Sequence, residues 1–147
     1  MTADAGTFDR GRNRYPSRKG AWPVWSTPFV PVISEVTRTR RAASEHLRSH
    51  QVPDRQLEDT MLLLSELVTN AVHHGAEPLE LRVDATDHRI RVEVDDASVE
   101  PPVLRPNDPR RLGGMGMRIV NDLADAWGSR PSSSGKTVWF EVALPAG

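Results

Sequence analysis

Two stretches with helical spacing lie back to back in the first half of the chain, and two alternating stretches follow before the next helix. That order constrains the fold more than any single motif. Ile33, Val36, Arg40, Ala43 and Leu47 recur at helical intervals from Ile33 to about His50, with Ser34 a candidate cap. Val52-Pro53 breaks the pattern, and Asp54 opens a second helix to about His74, where Gly75 supplies a C-terminal stop. Leu79–Ala85 then alternates apolar and polar residues. Ile90, Val92 and Val94 repeat that alternation after the turn-like Thr86-Asp87-His88, so the two segments read as a hairpin. A third helix is expected from about Gly114 through Ala126. A short strand over Trp127–Arg130, a turn over Pro131–Lys136 and a closing strand over Thr137–Leu144 complete the chain. Helices that are neighbours in sequence, rather than alternating with strands, argue against a parallel doubly wound sheet. They predict an α+β fold: a two-layer sandwich with a mixed, mostly antiparallel sheet and helices on one face.

The chain has 147 residues, enough for one domain with a real core and too few for two ordinary ones. Residues 1–20, with Arg10, Arg12, Arg14, Arg18 and Lys19 among Gly, Asn, Pro and Ser, read as a disordered, solvated tail. The domain is then 21–147. Its first segment, Ala21–Pro31, is interrupted by prolines, which limits a strand there to an edge; Trp22, Trp25, Phe29 and Val30 pin it to the body. Lys plus Arg number 19 against 20 Asp plus Glu, so no global field steers the chain toward nucleic acid. With no cysteine, disulfides, thiolate metal sites and a Cys nucleophile are excluded. No apolar run approaches the ~20 residues that span a bilayer, and no apolar signal region opens the chain, so a soluble cytoplasmic protein is expected.

The second helix is the most informative segment. At about 100° per residue, Leu57, Thr60, Leu64, Val68 and Ala71 share a face that belongs in the core, while Glu66, Asn70 and His73 cluster on roughly the opposite side. One reading of Glu66 and Asn70 is plain solvent-facing polarity. The other is metal-assisted phosphoryl transfer. Residues i and i+4 stand one above the other, so a carboxylate can take a proton from an attacking hydroxyl while an amide oxygen binds Mg²⁺. The adjacent His73 and His74 point about 100° apart and make a poor zinc pair.

Three glycines, Gly113, Gly114 and Gly116, precede the apolar-periodic third helix (Met117, Val120, Leu123, Ala124), with Arg110, Arg111 and Arg118 close by. Glycines let backbone amides approach a phosphate, and a helix N-terminus adds partial positive charge; a tight turn or hinge has the same composition. A dinucleotide fingerprint is excluded because a Pro-rich loop precedes the glycines and Ile119 takes the third glycine's place. Gly135-Lys136-Thr137 ends like a Walker A loop, but Arg130 stands where its first glycine must be. Before the glycines, Ser98–Arg111 holds four prolines and no periodicity; so long a loop in a small domain is usually functional or mobile.

Taken in order, these segments resemble the GHKL (Bergerat-fold) ATPase superfamily, in particular its small bacterial branch of anti-sigma-factor Ser/Thr kinases. The resemblance runs from about Trp25 to Leu144. Glu66-Leu-Val-Thr-Asn70-Ala-Val-His73-His74-Gly75 matches that family's N box and is its most specific part. It implies Glu66 as catalytic base, Asn70 as the Mg²⁺ ligand and His73 at the nucleotide. Asp96-Ala97-Ser98 stands where the family has Asp-x-Gly, whose Asp binds the adenine amino group; Ser98 here replaces the glycine. Gly113, Gly114, Met115, Gly116 and Met117 correspond to the glycine box that wraps the phosphates, and Thr137 to the closing Gly-x-Thr near the adenine.

The resemblance implies an ATP- and Mg²⁺-dependent Ser/Thr kinase that phosphorylates an antagonist protein, sequesters a sigma factor, or both. It implies a homodimer as well, with no direct contact to nucleic acid or membrane. An ATP-binding regulatory module that holds a partner without phosphoryl transfer is the alternative, and Ser98 is the feature that favours it. A sensor kinase would need a dimerising helical hairpin carrying a phosphoacceptor His, and His46 on the first helix lacks that setting. The mechanochemical ATPases need a transducer domain for which no residues remain.

Overall fold

A computed structural model describes residues 24–98 and 114–145, with the backbone alone over Gly114–Met117. The expected tail at 1–20, Trp22, the Pro-rich loop from 99 onward with Arg110 and Arg111, and Gly113 lie outside the described residues.

Strand β1 (Trp25–Phe29) leads to helix α1 (Ser34–Arg48) and helix α2 (Asp54–His74). Strands β2 (Leu79–Ala85) and β3 (Arg89–Asp96) follow, then helix α3 (Gly114–Leu123), β4 (Ala126–Ser132) and β5 (Gly135–Ala143). The strands form one sheet in the order β1-β2-β3-β5-β4, and every pairing among the described residues is antiparallel. This is the expected α+β sandwich, with no parallel pair among those strands.

The alternation of β2 and β3 sorts their side chains. Leu79, Leu81, Val83 and Ala85 face Val94, Val92 and Ile90 across the ladder and are all buried against the helices. Helix α2 lies over β3 and β5, α1 over β1 and β2, and α3 beside α2. Leu63, Leu64 and Val68 of α2 meet Phe140, itself wholly buried, in the same core. Truncating such a ring to Ala typically costs about 3–5 kcal/mol.

On the sheet's other face, charges lie flat in a ladder. Arg82 pairs with Asp95 and with Glu93 (2.6 Å), Arg91 with Glu93 (2.7 Å) and Glu141 (2.8 Å), and Arg89 with Glu141 (3.1 Å). The Arg91 guanidinium also sits 4.1 Å over the Trp139 ring. Period-two alternation thus gives β3 an apolar side and a charged side.

Several boundaries differ from expectation for identifiable reasons. Ser34 is the first helical residue of α1 rather than its cap; the Val30 N–H is instead met by the Glu35 carboxylate (3.2 Å). Helix α3 stops at Leu123 because Asp125 joins the sheet: its N–H donates to Glu141 O (2.9 Å) and its carboxylate accepts from the Ala143 N–H (2.6 Å). The last hairpin is tighter than the sequence implied, since Pro131 and Ser132 still pair with Lys136 and Gly135, and only Ser133-Ser134 turn. Pro28 stands in β1, on the sheet edge where a missing N–H is tolerated.

Candidate functional site

Helix α2 buries more of its surface than its apolar pattern implied. Met61, Leu63 and Leu67 join Leu57, Thr60, Leu64, Val68 and Ala71 in the interior, because α1 and α3 flank the helix while the sheet lies beneath it. Glu66 and Asn70 consequently stand at the margin of a wide buried surface, both half-buried, and not out in solvent opposite a narrow core face. Burial pushes the Glu66 carboxyl above its ordinary value. His73 is exposed.

At its C-terminal end α2 meets β3 and β5 in a narrow cleft. Ala71, Val94 and Val138 line its apolar part, and Asn70, His74, Asp96 and Lys136 its polar part. The chain is brought there by two close approaches. Gly75 has extended backbone and donates to Ala71 O (2.8 Å), and a Cβ on it would lie 2.7 Å from that same oxygen. The helix therefore ends by crowding rather than by a left-handed turn. Gly135 has φ +150°, and a Cβ there would stand 2.0 Å from Asp96 O. Only glycine lets the start of β5 lie against the end of β3 in this way.

Asp96 is the most constrained polar residue in the cleft. Its Oδ1 accepts the Ser98 N–H (2.6 Å), the Ala76 N–H also donates to its carboxylate, and Ala97 N–H returns a bond to Ala76 O (2.8 Å). The end of β3 is thereby tied to the residue just past α2. Across the ladder Asp96 pairs with Lys136, whose Nζ is 3.8 Å from Oδ2. Desolvation is the largest influence on this carboxyl and raises its pKa, against the pull of Lys136 and the backbone N–H groups. Ser98, in the glycine's place, uses its backbone N–H to hold Asp96.

The described residues thus bring Asn70 and Asp96 to one cleft, with Glu66 one helical turn from Asn70. They do not bring Thr137 there. Thr137 is paired with Asp95, and its hydroxyl donates to the Asp95 carboxylate (2.6 Å) on the charged face, away from Asn70. Neighbours on β5 point to opposite faces, and Lys136 takes the inner one, so Thr137 does not line the cleft with Asn70. His74 lines the cleft and His73 does not. Gly114 and Gly116 lie within the first turn of α3, so part of the glycine segment is helix rather than preceding loop. Sequence reasoning passed over Lys136 as a site residue, although it stood inside a motif already under scrutiny; the β3–β5 register was the missing information.

Charge polarity runs along the α-layer. The C-terminal end of α2 carries negative partial charge, which with the Asp96 carboxylate suits donor groups of a ligand; the N-terminal end of α3 carries positive partial charge and suits an anion. Helices α2 and α3 pack side by side. Among the described residues no three His, Asp or Glu side chains gather as a metal cluster. A cation beside Asn70 would therefore take most of its ligands from phosphate and water, as Mg²⁺ commonly does. No described helix is long and apolar enough to cross a membrane.

The family described as the histidine kinase-like ATPase domain matches residues 31–142. No curated protein matches the chain significantly. Among solved structures it is similar to the RsbU and RsbW domains of Rv1364c from Mycobacterium tuberculosis, with a TM-score of 0.64 at 19% identity, covering 85% of this chain and 34% of that one. It also matches the histidine kinase domain of a blue-light activated histidine kinase from Erythrobacter litoralis, with a TM-score of 0.49 at 22% identity, over 87% and 65% of the two chains. The chain spans about a third of the first structure and just under two thirds of the second. With the family match covering most of its length and the antiparallel sandwich described above, the chain belongs to the histidine kinase-like ATPase domain family of the GHKL superfamily.

Proposed function

We propose that the protein binds Mg·ATP in the α2–β3–β5 cleft and transfers the γ-phosphoryl group to a Ser or Thr hydroxyl of a regulatory partner. The observation that carries this reading is the meeting of Asn70 and Asp96 in one cleft, with a half-buried Glu66 one turn away. In it, Asp96 accepts from the base and Asn70 holds the cation through its amide oxygen. The α3 N-terminus receives the phosphates. Bound Mg²⁺ would supply charge neutralisation at the β- and γ-phosphates. Glu66 accepts the proton as the hydroxyl oxygen bonds to the γ-phosphorus and ADP leaves; its raised pKa makes it a better base near neutral pH than an exposed Glu. Positioning and electrostatics supply most of the acceleration, as in other phosphoryl transfers.

The resemblance carried by Glu66–Gly75 favours an anti-sigma type of role, in which the partners are a sigma factor and an antagonist protein and the chain acts as a homodimer in the cytoplasm. Phosphorylation of the antagonist would add roughly two negative charges and so change its partner choice. Incubation with γ-labelled ATP, Mg²⁺ and proteins co-purified from the native host tests the reading. Label on a Ser or Thr that disappears with Glu66→Ala is expected.

A second reading is a module that binds nucleotide and sequesters a partner without transfer. It is favoured by Ser98 in the glycine position and by an Asp96 already engaged by two backbone N–H groups and Lys136. Nucleotide-dependent partner capture with no transferred label would select it over the kinase.

A further inference from the structure

We infer that Lys136 reads the nucleobase: its ammonium donates to the ring nitrogen beside the amino group that Asp96 accepts from. The inference rests on the nucleotide reading above and assigns a specificity-determining residue to the same cleft. Lys136 and Asp96 are directly opposed in the β3–β5 ladder, on the inner face of the sheet. Their side chains are 9% and 4% exposed, and both line the cleft with Asn70.

Packing alone does not account for this pair. Two positions along the same ladder, on the same face, the fold places Val94 opposite Val138, both buried. A buried ion pair is commonly no more stable than an apolar pair of similar volume, so charge at the rung beside the cleft calls for a use. The raised pKa of Asp96 agrees that Lys136 does not offset the burial of its partner. The geometry is that of a reading pair. A carboxylate and an ammonium side by side present one acceptor and one donor, the complement of a purine edge with an amino donor beside a ring acceptor. Adenine N6–H and N1 are such an edge. An ammonium has three N–H donors and rotates about its last bond, so it can turn from a carboxylate 3.8 Å away toward a ring nitrogen without any backbone shift.

Calorimetry with ADP and 1-deaza-ADP, in which N1 is replaced by C–H, tests this on the full chain with no phosphoryl transfer involved. The wild-type protein should bind 1-deaza-ADP about 10-fold or more weakly than ADP, the size expected for losing a hydrogen bond from a charged donor. Lys136→Met should bind ADP about 10-fold more weakly and show less than about a 2-fold difference between the two ligands. Equal affinity of the wild type for both ligands overturns the assignment, and so does an undiminished difference in Lys136→Met. The wild-type comparison needs no variant, so misfolding of Lys136→Met does not rescue or sink the result. If ADP binds and Asn70→Ala abolishes its Mg²⁺ dependence while N1 makes no difference, the nucleotide site stands and only the role of Lys136 falls. No binding of ADP or ATP at all overturns both.

Discussion

Removing one charge from the Asp96–Lys136 pair should cost far more stability than removing both. The two side chains are almost fully buried with Nζ 3.8 Å from Oδ2, longer than a good charge-assisted hydrogen bond, so attraction recovers only part of the desolvation penalty. Asp96→Asn keeps an oxygen for the Ser98 N–H but removes the carboxylate charge that faces the buried Lys136. Breaking such pairs costs about 3–5 kcal/mol, and the long separation places this one near about 3 kcal/mol, or a Tm drop of roughly 10 °C for a chain of this size. Lys136→Met leaves a carboxyl that keeps its two backbone N–H donors, so its cost should be smaller, about 1 kcal/mol. The double variant buries neither charge and should be at least as stable as the wild type, which makes the coupling on the order of 3–4 kcal/mol. Urea denaturation at pH 7 with unchanged m-values measures all four corners. The pH dependence has a definite sign. A carboxyl whose folded pKa exceeds its unfolded value contributes stability at low pH that is lost as pH rises through the folded value; Asp96→Asn removes that part of the profile. If Asp96→Asn lies within about 0.5 kcal/mol of wild type, or the double variant is as unstable as the sum of the singles, the pair is not a strained functional pair and this reasoning fails.

Four further outcomes follow from the cleft. Asn70→Ala should nearly abolish the Mg²⁺-dependent part of ATP affinity in calorimetry; unchanged affinity with excess Mg²⁺ would remove Asn70 from the site. Glu66→Ala should keep nucleotide affinity and lower transfer by on the order of 10²–10⁴-fold. In the wild type, kcat should fall as pH drops through a value above the ordinary Glu range, since the base must be ionised and burial raises its pKa; an acid limb at or below that range contradicts the assignment. Gly135→Ala should destabilise by about 3 kcal/mol or more and weaken ADP binding, because its Cβ would overlap Asp96 O at a backbone angle other residues rarely adopt; a melting temperature within a degree or two of wild type would contradict the close approach.

Long, strongly periodic elements were legible before any coordinates. Helix α2 begins at Asp54 and ends at His74 as its pattern implies, and the β2–β3 hairpin turns where Thr86-Asp87-His88 stands. The end of α3 was not, because it is set by bonds from Asp125 to the distant Glu141 and Ala143, and β4 runs longer than its pattern because Pro131 and Ser132 still pair with Lys136 and Gly135. The α2 surface was misjudged for a related reason. A helix viewed alone has one apolar face, but α1 and α3 cover its sides, so Leu63 and Leu67 are interior and Asn70 lies at the cleft.

Asp95 and Asp96 show why neighbouring residues of one type need the sheet to tell them apart. In sequence each is an acid at the end of a strand. In the ladder, Asp95 faces outward, paired with Arg82 and bonded by Thr137, while Asp96 faces inward at the cleft. The choice follows from apolar alternation: Ile90, Val92 and Val94 occupy the helix-facing side, so the next residue in that phase is Asp96. The same phase carried across the register to β5 selects Val142, Phe140, Val138 and then Lys136. Two apolar rows that hold the sandwich together therefore end, in the lining of the cleft, in an acid and a base. A one-residue slip of β5 against β3 would exchange Lys136 for Thr137 in the cleft. The crowding of Gly135 against Asp96 O opposes that slip, so the glycine sets which side chain faces the cleft.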